Sequence, residues 1–240
     1  MNTLKISLPS RGLVYNVDGD KSYVEIREPT GRDETLLTNI NLLNSGDLFI
    51  RLIQNMIIDP KWKNIDFLSG DSEAILFAIR FLMYGNYKTK IECPLCKNVF
   101  DYEYDLSNLE LKTLDIEPVV PNSNIFEKAI DNYVFRFSLP TNNFDKELNQ
   151  FIVKNRSKFH ISFVMERFIR SIKSINDVTD LGKIRNMIEN DIKVNILKQM
   201  REYINTVNPG VKKDYTITCP NCIKNIDITM TLGADFFWQD

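Results

Sequence analysis

The apolar residues of this chain recur with two different periods. After Cys96, Phe100, Tyr102, Tyr104 and Leu106 alternate with Asp101, Glu103 and Asp105, and a period of two marks a strand with one buried face. Ile226, Ile228, Met230 and Leu232 alternate in the same way with Asp227, Thr229 and Thr231 after Cys222. Helical spacing dominates elsewhere. Phe49, Leu52, Ile53 and Met56 share a face over Asp47 to Ile58, and Asp71 to Tyr84 is apolar nearly all round, which predicts a buried helix stopped by Gly85. In the second half, Ile161, Val164, Phe168, Ile169 and Ile172 mark one amphipathic helix. Ile192, Ile196, Met200, Tyr203 and Val207 mark another, ending before Pro209-Gly210.

The two halves echo each other. A shift of 126 residues (219 − 93) aligns Cys93 with Cys219, Pro94 with Pro220 and Cys96 with Cys222, and also Ile91 with Ile217 and Asp101 with Asp227. Upstream, Val24 to Thr30 and Val134 to Thr141 each read as a strand ending in Pro-Thr before a helical pattern. Thr30 and Thr141 are suited to N-cap those helices, and Thr30-Gly-Arg-Asp33 reads as a capping box. The predicted fold class is α+β, with internally duplicated strand-helices-β-hairpin units joined by a four-cysteine, zinc-ribbon-like site. The expected division is an N-terminal arm (1–19), a first unit (20–113), a connector (114–124), a second unit (125–233) and an aromatic C-terminal tail (234–240).

Each cysteine pair sits between two predicted strands, flanked upstream by Thr89-Lys-Ile91 or Tyr215-Thr-Ile217. A two-residue gap lets both thiolates of a pair converge on one cation. Two such hairpins then supply the four sulfurs of a closed tetrahedral site, so Cys93, Cys96, Cys219 and Cys222 are the expected ligands of one structural zinc ion per chain. Cys-x-x-Cys also occurs as a redox motif at a helix N-terminus; here strand follows each pair. With four sulfur ligands no coordination position stays open for substrate, and no enzymatic activity is expected.

Composition narrows the partners. The 240 residues carry 30 basic and 32 acidic side chains, a formal net charge of −2, which gives no general attraction to polyanions. The longest apolar stretch, Ala74 to Tyr84, is broken by Arg80 and is shorter than the ~20 residues of a membrane span. Met1 to Lys5 shows no secretory signal. The single histidine, His160, has no nucleophile motif around it, and the glycines form no phosphate loop. A locally basic stretch, Lys154, Arg156, Lys158, Arg167, Arg170 and Lys173, reads as a solvated helix face, or else as the footprint of a zinc-ribbon nucleic-acid binder. At the chain end, Phe236, Phe237 and Trp238 either fold back over the chain's own hairpins or anchor a partner protein; partner binding is the reading adopted for them.

Four segments together resemble a known family. Leu8-Pro-Ser-Arg-Gly-Leu-Val-Tyr15, Arg27-Glu-Pro-Thr-Gly-Arg-Asp-Glu34, Leu82-Met-Tyr-Gly85 leading into Cys93-Pro-Leu-Cys96, and Cys219-Pro-Asn-Cys222 before an aromatic end resemble the baseplate hub assembly proteins of T-even-like tailed bacteriophages. The resemblance implies an assembly factor or minor structural subunit of the baseplate hub, with hub proteins as partners. It implies no small-molecule substrate. It places the protein in the host bacterial cytoplasm during assembly, or in the baseplate of the virion tail.

Overall fold

A computed structural model of the chain describes residues 3–155, 162–231 and 236–237. The first strands, β1 (Thr3–Ser7) and β2 (Tyr23–Arg27), pair antiparallel and precede α1 (Gly31–Leu37), α2 (Ile40–Ser45), α3 (Leu48–Met56) and α4 (Ser69–Tyr84). A hairpin of β3 (Tyr87–Glu92) and β4 (Val99–Tyr104) follows. After the short β5 (Leu111–Lys112) come β6 (Phe126–Ile130), β7 (Tyr133–Phe137), α5 (Asn142–Asn155), α6 (Phe163–Ser171) and β8 (Ile172–Ile175). The chain continues through α7 (Leu181–Asn186), α8 (Val194–Val207) and β9 (Gly210–Val211) to a second hairpin, β10 (Asp214–Thr218) with β11 (Asn225–Thr229). The result is a mixed α/β fold with small sheets: β6, β7 and β8 form a three-stranded antiparallel sheet, and β5 pairs with β9.

Local chemistry accounts for several of these boundaries. The Asp33 carboxylate accepts from the backbone N–H of Thr30 at 2.8 Å and from both terminal nitrogens of Arg27, each at 2.8 Å. That completes the expected capping box and satisfies donors at the start of α1. Burial alone would raise the Asp33 pKa, but the Arg27 and Thr30 hydrogen bonds outweigh it and hold the carboxyl below its ordinary value. At the second Pro-Thr, the Thr141 hydroxyl accepts from the Phe144 N–H at 3.2 Å, capping α5. One predicted helix is divided. Ile172, expected on the same helical face as Phe168 and Ile169, instead begins β8, where its backbone pairs with Phe137 and its side chain is buried. Val164, from the same pattern, is exposed. His160, Ile161, Arg156, Lys158, Leu232 and Trp238 lie outside the described residues.

The centre of the fold is α4. Apolar on nearly every side, it must be covered on every side, and Ile75, Phe77 and Ile79 have no exposed surface at all. Its first turn carries a buried acid. The Asp71 carboxylate accepts from the Ser10 backbone N–H at 2.8 Å and from the Tyr15 hydroxyl, which itself accepts from the Leu68 N–H at 2.8 Å. Burial pushes the Asp71 carboxyl up to about 6, against the opposing pull of the Ser10 and Tyr15 hydrogen bonds. The Leu8–Tyr15 segment is therefore a latch on α4. Gly12 makes the latch possible, because at φ +71° it passes so close to Lys21 that a Cβ would lie 2.1 Å from the Lys21 carbonyl oxygen.

Two expectations are corrected here. The segment expected as an arm (1–19) is, over its described residues 3–19, part of the core: β1 pairs residue by residue with β2, and Ile6, Leu8, Val14, Tyr15 and Val17 are buried. Nor do Phe236 and Phe237 offer themselves to a partner, for they are 0% and 2% exposed. Phe236 packs edge-on against Phe77 with centroids 5.1 Å apart, Phe237 lies 5.6 Å from Phe49, and the buried Arg80 donates its Nε–H to the Phe236 carbonyl at 2.7 Å. The physical reason is a demand for apolar cover, met on α4 by Phe236 against Phe77 and on α3 by Phe237 against Phe49.

The two halves share this core. Ser69 N–H donates to the Pro140 carbonyl and Asn142 N–H to the Phe67 carbonyl, at 2.9 and 3.1 Å, which joins the starts of α4 and α5. Gly70 meets Pro209 so closely that a Cβ would lie 2.0 Å from its carbonyl oxygen. Two outcomes test this account by urea unfolding. Tyr15→Phe leaves the Leu68 N–H buried without an acceptor and is expected to lower stability by about 1–3 kcal/mol. Phe236→Ala is expected to lower it by about 3–5 kcal/mol, the usual loss for a buried phenylalanine; unchanged unfolding midpoints would show that these contacts carry no weight.

Candidate metal centre

Both cysteine pairs sit in the turns of hairpins, as their flanking alternation predicts. In the first, Cys93 N–H donates to the Asn98 carbonyl at 2.9 Å and Lys97 N–H donates back to the Cys93 carbonyl at 2.9 Å. The second repeats the arrangement at the same offset, Cys219 N–H to Lys224 at 3.0 Å and Ile223 N–H to Cys219 at 3.0 Å. Each turn thus bends tightly enough to present two sulfurs on one side. Tyr104, on β4, meets Tyr215, on β10, with ring centroids 5.2 Å apart, so the hairpins lie together at their bases as well.

The four cysteines come together. Their sulfurs all lie within 4.8 Å of one another, with Cys93 Sγ 3.9 Å from Cys222 Sγ and Cys96 Sγ 3.7 Å from Cys219 Sγ. Four sulfurs bonded at about 2.3 Å to a central tetrahedral cation stand about 3.8 Å apart, so the donor set fits one ion of that size. All four are free thiols. Cys93 and Cys219 are buried and form a small apolar cluster of their own with Ile226, flanked by Ile91, Phe100 and Ile217 and separate from the main core. Thiolate ligands favour soft or borderline cations.

The surroundings favour ionised sulfur unevenly. Asn221 donates its side-chain amide to Cys96 Sγ at 3.6 Å, and this bond, with the Asn98 backbone N–H, lowers the Cys96 pKa to about 6. At Cys222 the Lys224 backbone N–H pulls downward, but burial and the three neighbouring cysteines outweigh it and push the thiol up to about 11. The Cys96 sulfur ionises readily, and the Cys222 sulfur ionises against its neighbours. A cation at the centre removes that conflict. Sequence reasoning missed Asn221 as a contributor; its only signal was its place between the two cysteines of the second pair.

Among the described residues, the other candidates do not assemble into a site. In the basic stretch, Arg167 pairs with Asp145 at 3.2 Å, Arg170 pairs with the buried Glu166 at 2.6 Å, and Lys173 donates to the Arg170 carbonyl at 3.2 Å. These cations are engaged within the chain. No helix among the described residues is long and apolar enough to cross a membrane.

Fold and site together define the class: an α+β protein whose two distant hairpins meet at a four-cysteine candidate metal site. The chain belongs to the family described as T4 bacteriophage base plate protein, which it matches over residues 1–238. The resemblance carried by the Leu8–Tyr15 and Arg27–Glu34 segments and the two cysteine motifs is thereby borne out at the level of a phage baseplate family. No curated protein and no solved structure matches the chain.

Metal binding should be shared and proton-linked. Elemental analysis is expected to give one equivalent per chain, and Cys93→Ser and Cys219→Ser should each strip it; retention after loss of a whole pair would show that the pairs do not share an ion. Because protons compete for the sulfurs, affinity should fall as pH drops, with net proton release on metal addition measurable in weakly buffered solution.

Proposed function

We propose that this protein is a baseplate hub assembly factor or minor structural subunit, a zinc-stabilised protein–protein interaction scaffold without catalysis. The observation that carries the reading is the span of the family match, which takes in both hairpins, α4 and the four cysteines within residues 1–238. The cysteine geometry supports the zinc part, since thiolates alone, at tetrahedral spacing, are the donor set of closed structural zinc sites. A closed site holds no open position for a substrate, and this supports the non-catalytic part. Baseplate hub proteins are the proposed partners, met in the host cytoplasm during assembly or in the finished tail.

The proposal includes an internal duplication with a zinc-ribbon-like junction. Element order supports it, because each half runs from an antiparallel strand pair through helices to a cysteine hairpin. The halves differ in the strand that follows the helices: β8 pairs with β7 over several residues, whereas beside β2 its counterpart is a single bridge, Ile57 opposite Ile26, with Ile58 N–H donating to the Glu25 carbonyl at 3.0 Å.

The test is genetic. Phage deleted for this chain should produce tails with defective or missing baseplates and a titre reduced by several orders of magnitude, and plasmid-borne wild type should restore it while Cys93→Ser with Cys222→Ser should not. Normal baseplates in the deletion would overturn the reading. A salt-sensitive shift of duplex DNA by the purified protein would favour the nucleic-acid alternative instead. Zinc, as opposed to another thiophilic metal, is expected in elemental analysis of protein purified without added metal.

A further inference from the structure

The turns that hold the cysteines carry apolar residues that the turns do not require. In each, the residue after the second cysteine adopts a left-handed backbone, Lys97 at φ 61° and Ile223 at φ 56°. The turn imposes this, because the same residue's N–H closes onto the first cysteine's carbonyl. Glycine or asparagine fills such a position with least strain, whereas a β-branched side chain there is a genuine outlier. Ile223 is also 73% exposed, so burial does not offset its strain.

The same excess appears nearby. Leu95 is 58% exposed and Val99 56%, yet the 126-residue offset places Asn221 and Asn225 at the matching positions, and Lys97 opposite Ile223. Each apolar side chain thus has a polar counterpart in an equivalent turn that closes equally well. Both turns frame sulfurs within 4.8 Å of one another, so these side chains leave the protein at the same end. A residue that is strained and exposed contributes nothing to folding, and such outliers point to use outside the chain.

The charges at this end say what kind of surface would cover it. Lys224 is exposed and makes no ion pair among the described residues. Lys97 has a loose, water-exposed contact with Glu92 at 3.4 Å. An apolar tip with a cationic border complements an apolar cleft with carboxylates at its rim, and two copies meeting tip to tip would instead set lysine against lysine.

We propose that this tip, Leu95, Val99 and Ile223 bordered by Lys97 and Lys224, docks into an acid-rimmed apolar cleft on another protein of the baseplate. The proposal rests on the baseplate reading above and locates its contact surface. The clasp then serves two purposes: the metal holds the hairpins, and the hairpins hold the strained isoleucine in presentation.

The test uses the metal-loaded full chain against each of the other baseplate proteins of the same phage, expressed singly and purified, in biolayer interferometry. Wild type is expected to bind at least one. Ile223→Gly should weaken that binding at least tenfold while the melting temperature and metal content stay equal or rise, since the substitution relieves the strained backbone. Lys224→Glu should weaken it to a similar degree and flatten its salt dependence. A fall in melting temperature or metal content for Ile223→Gly with binding intact would make Ile223 a structural residue and overturn the proposal. Binding indifferent to both variants would overturn the tip alone and leave the baseplate reading standing, whereas absence of any binding would sink the tip and count against that reading too. Self-association abolished by Ile223→Gly in sedimentation, or tip-dependent binding to anionic phosphatidylglycerol vesicles, would assign the tip to another occupant and likewise overturn the proposal.

Discussion

A helix that is apolar around nearly its whole circumference can exist in water only if other parts of the chain enclose it, and α4 imposes that condition on this protein. The enclosing pieces come from far apart. The Leu8–Tyr15 segment reaches the first turn of α4 through Asp71, Pro209 presses against Gly70, and Phe236 covers Phe77 while its carbonyl accepts from Arg80. Removing any one of them exposes apolar surface or strands a buried polar group. Burying a large apolar side chain yields roughly 1.5–3 kcal/mol, so a helix with this many buried positions organises segments that could not hold one another.

The hairpins are a different problem. Two-stranded hairpins bury little and are marginal by themselves, and the cysteine ends of β3–β4 and β10–β11 stand beyond the main core with only a small apolar cluster between them. A single tetrahedral cation held by the four sulfurs, as proposed above, would address both weaknesses, closing each turn and joining the two turns across more than a hundred residues. Metal-linked folding of this kind is strong: structural zinc in small peptides is worth an apparent ~10–16 kcal/mol. On that proposal the main core forms around α4 and the far end would depend on the ion, leaving that end free to carry exposed apolar residues a metal-free hairpin could ill support.

Much of the site was legible in the chain itself. Cysteine spacing and the alternation around it are local properties, and a two-residue gap between strands constrains a turn whatever surrounds it, so the four cysteines could be named and grouped before any fold was known. The same holds for the Thr30–Asp33 capping box, the strand before each Pro-Thr, and α4 itself, each set by residues within one or two turns of one another. Ile172 shows the limit: a helical period of apolar residues carried past Ser171 because the periodicity could not register the sheet edge at β7 that captured it.

What only the tertiary structure decided is where the appendages go. Nothing local in Pro9-Ser-Arg-Gly12 or Phe236-Phe237 distinguishes a segment that covers its own core from one that docks on a neighbour, because an aromatic ring gains from burial against any apolar surface. The choice depends on whether α4 leaves a gap at that place. It does: the Leu8–Tyr15 segment closes on its first turn and Phe236 covers Phe77, while Phe237 lies against Phe49 on α3. The exposed Ile223 is the converse case, apolar in sequence like the others but held outside the core by a turn that the Cys219 backbone hydrogen bonds close.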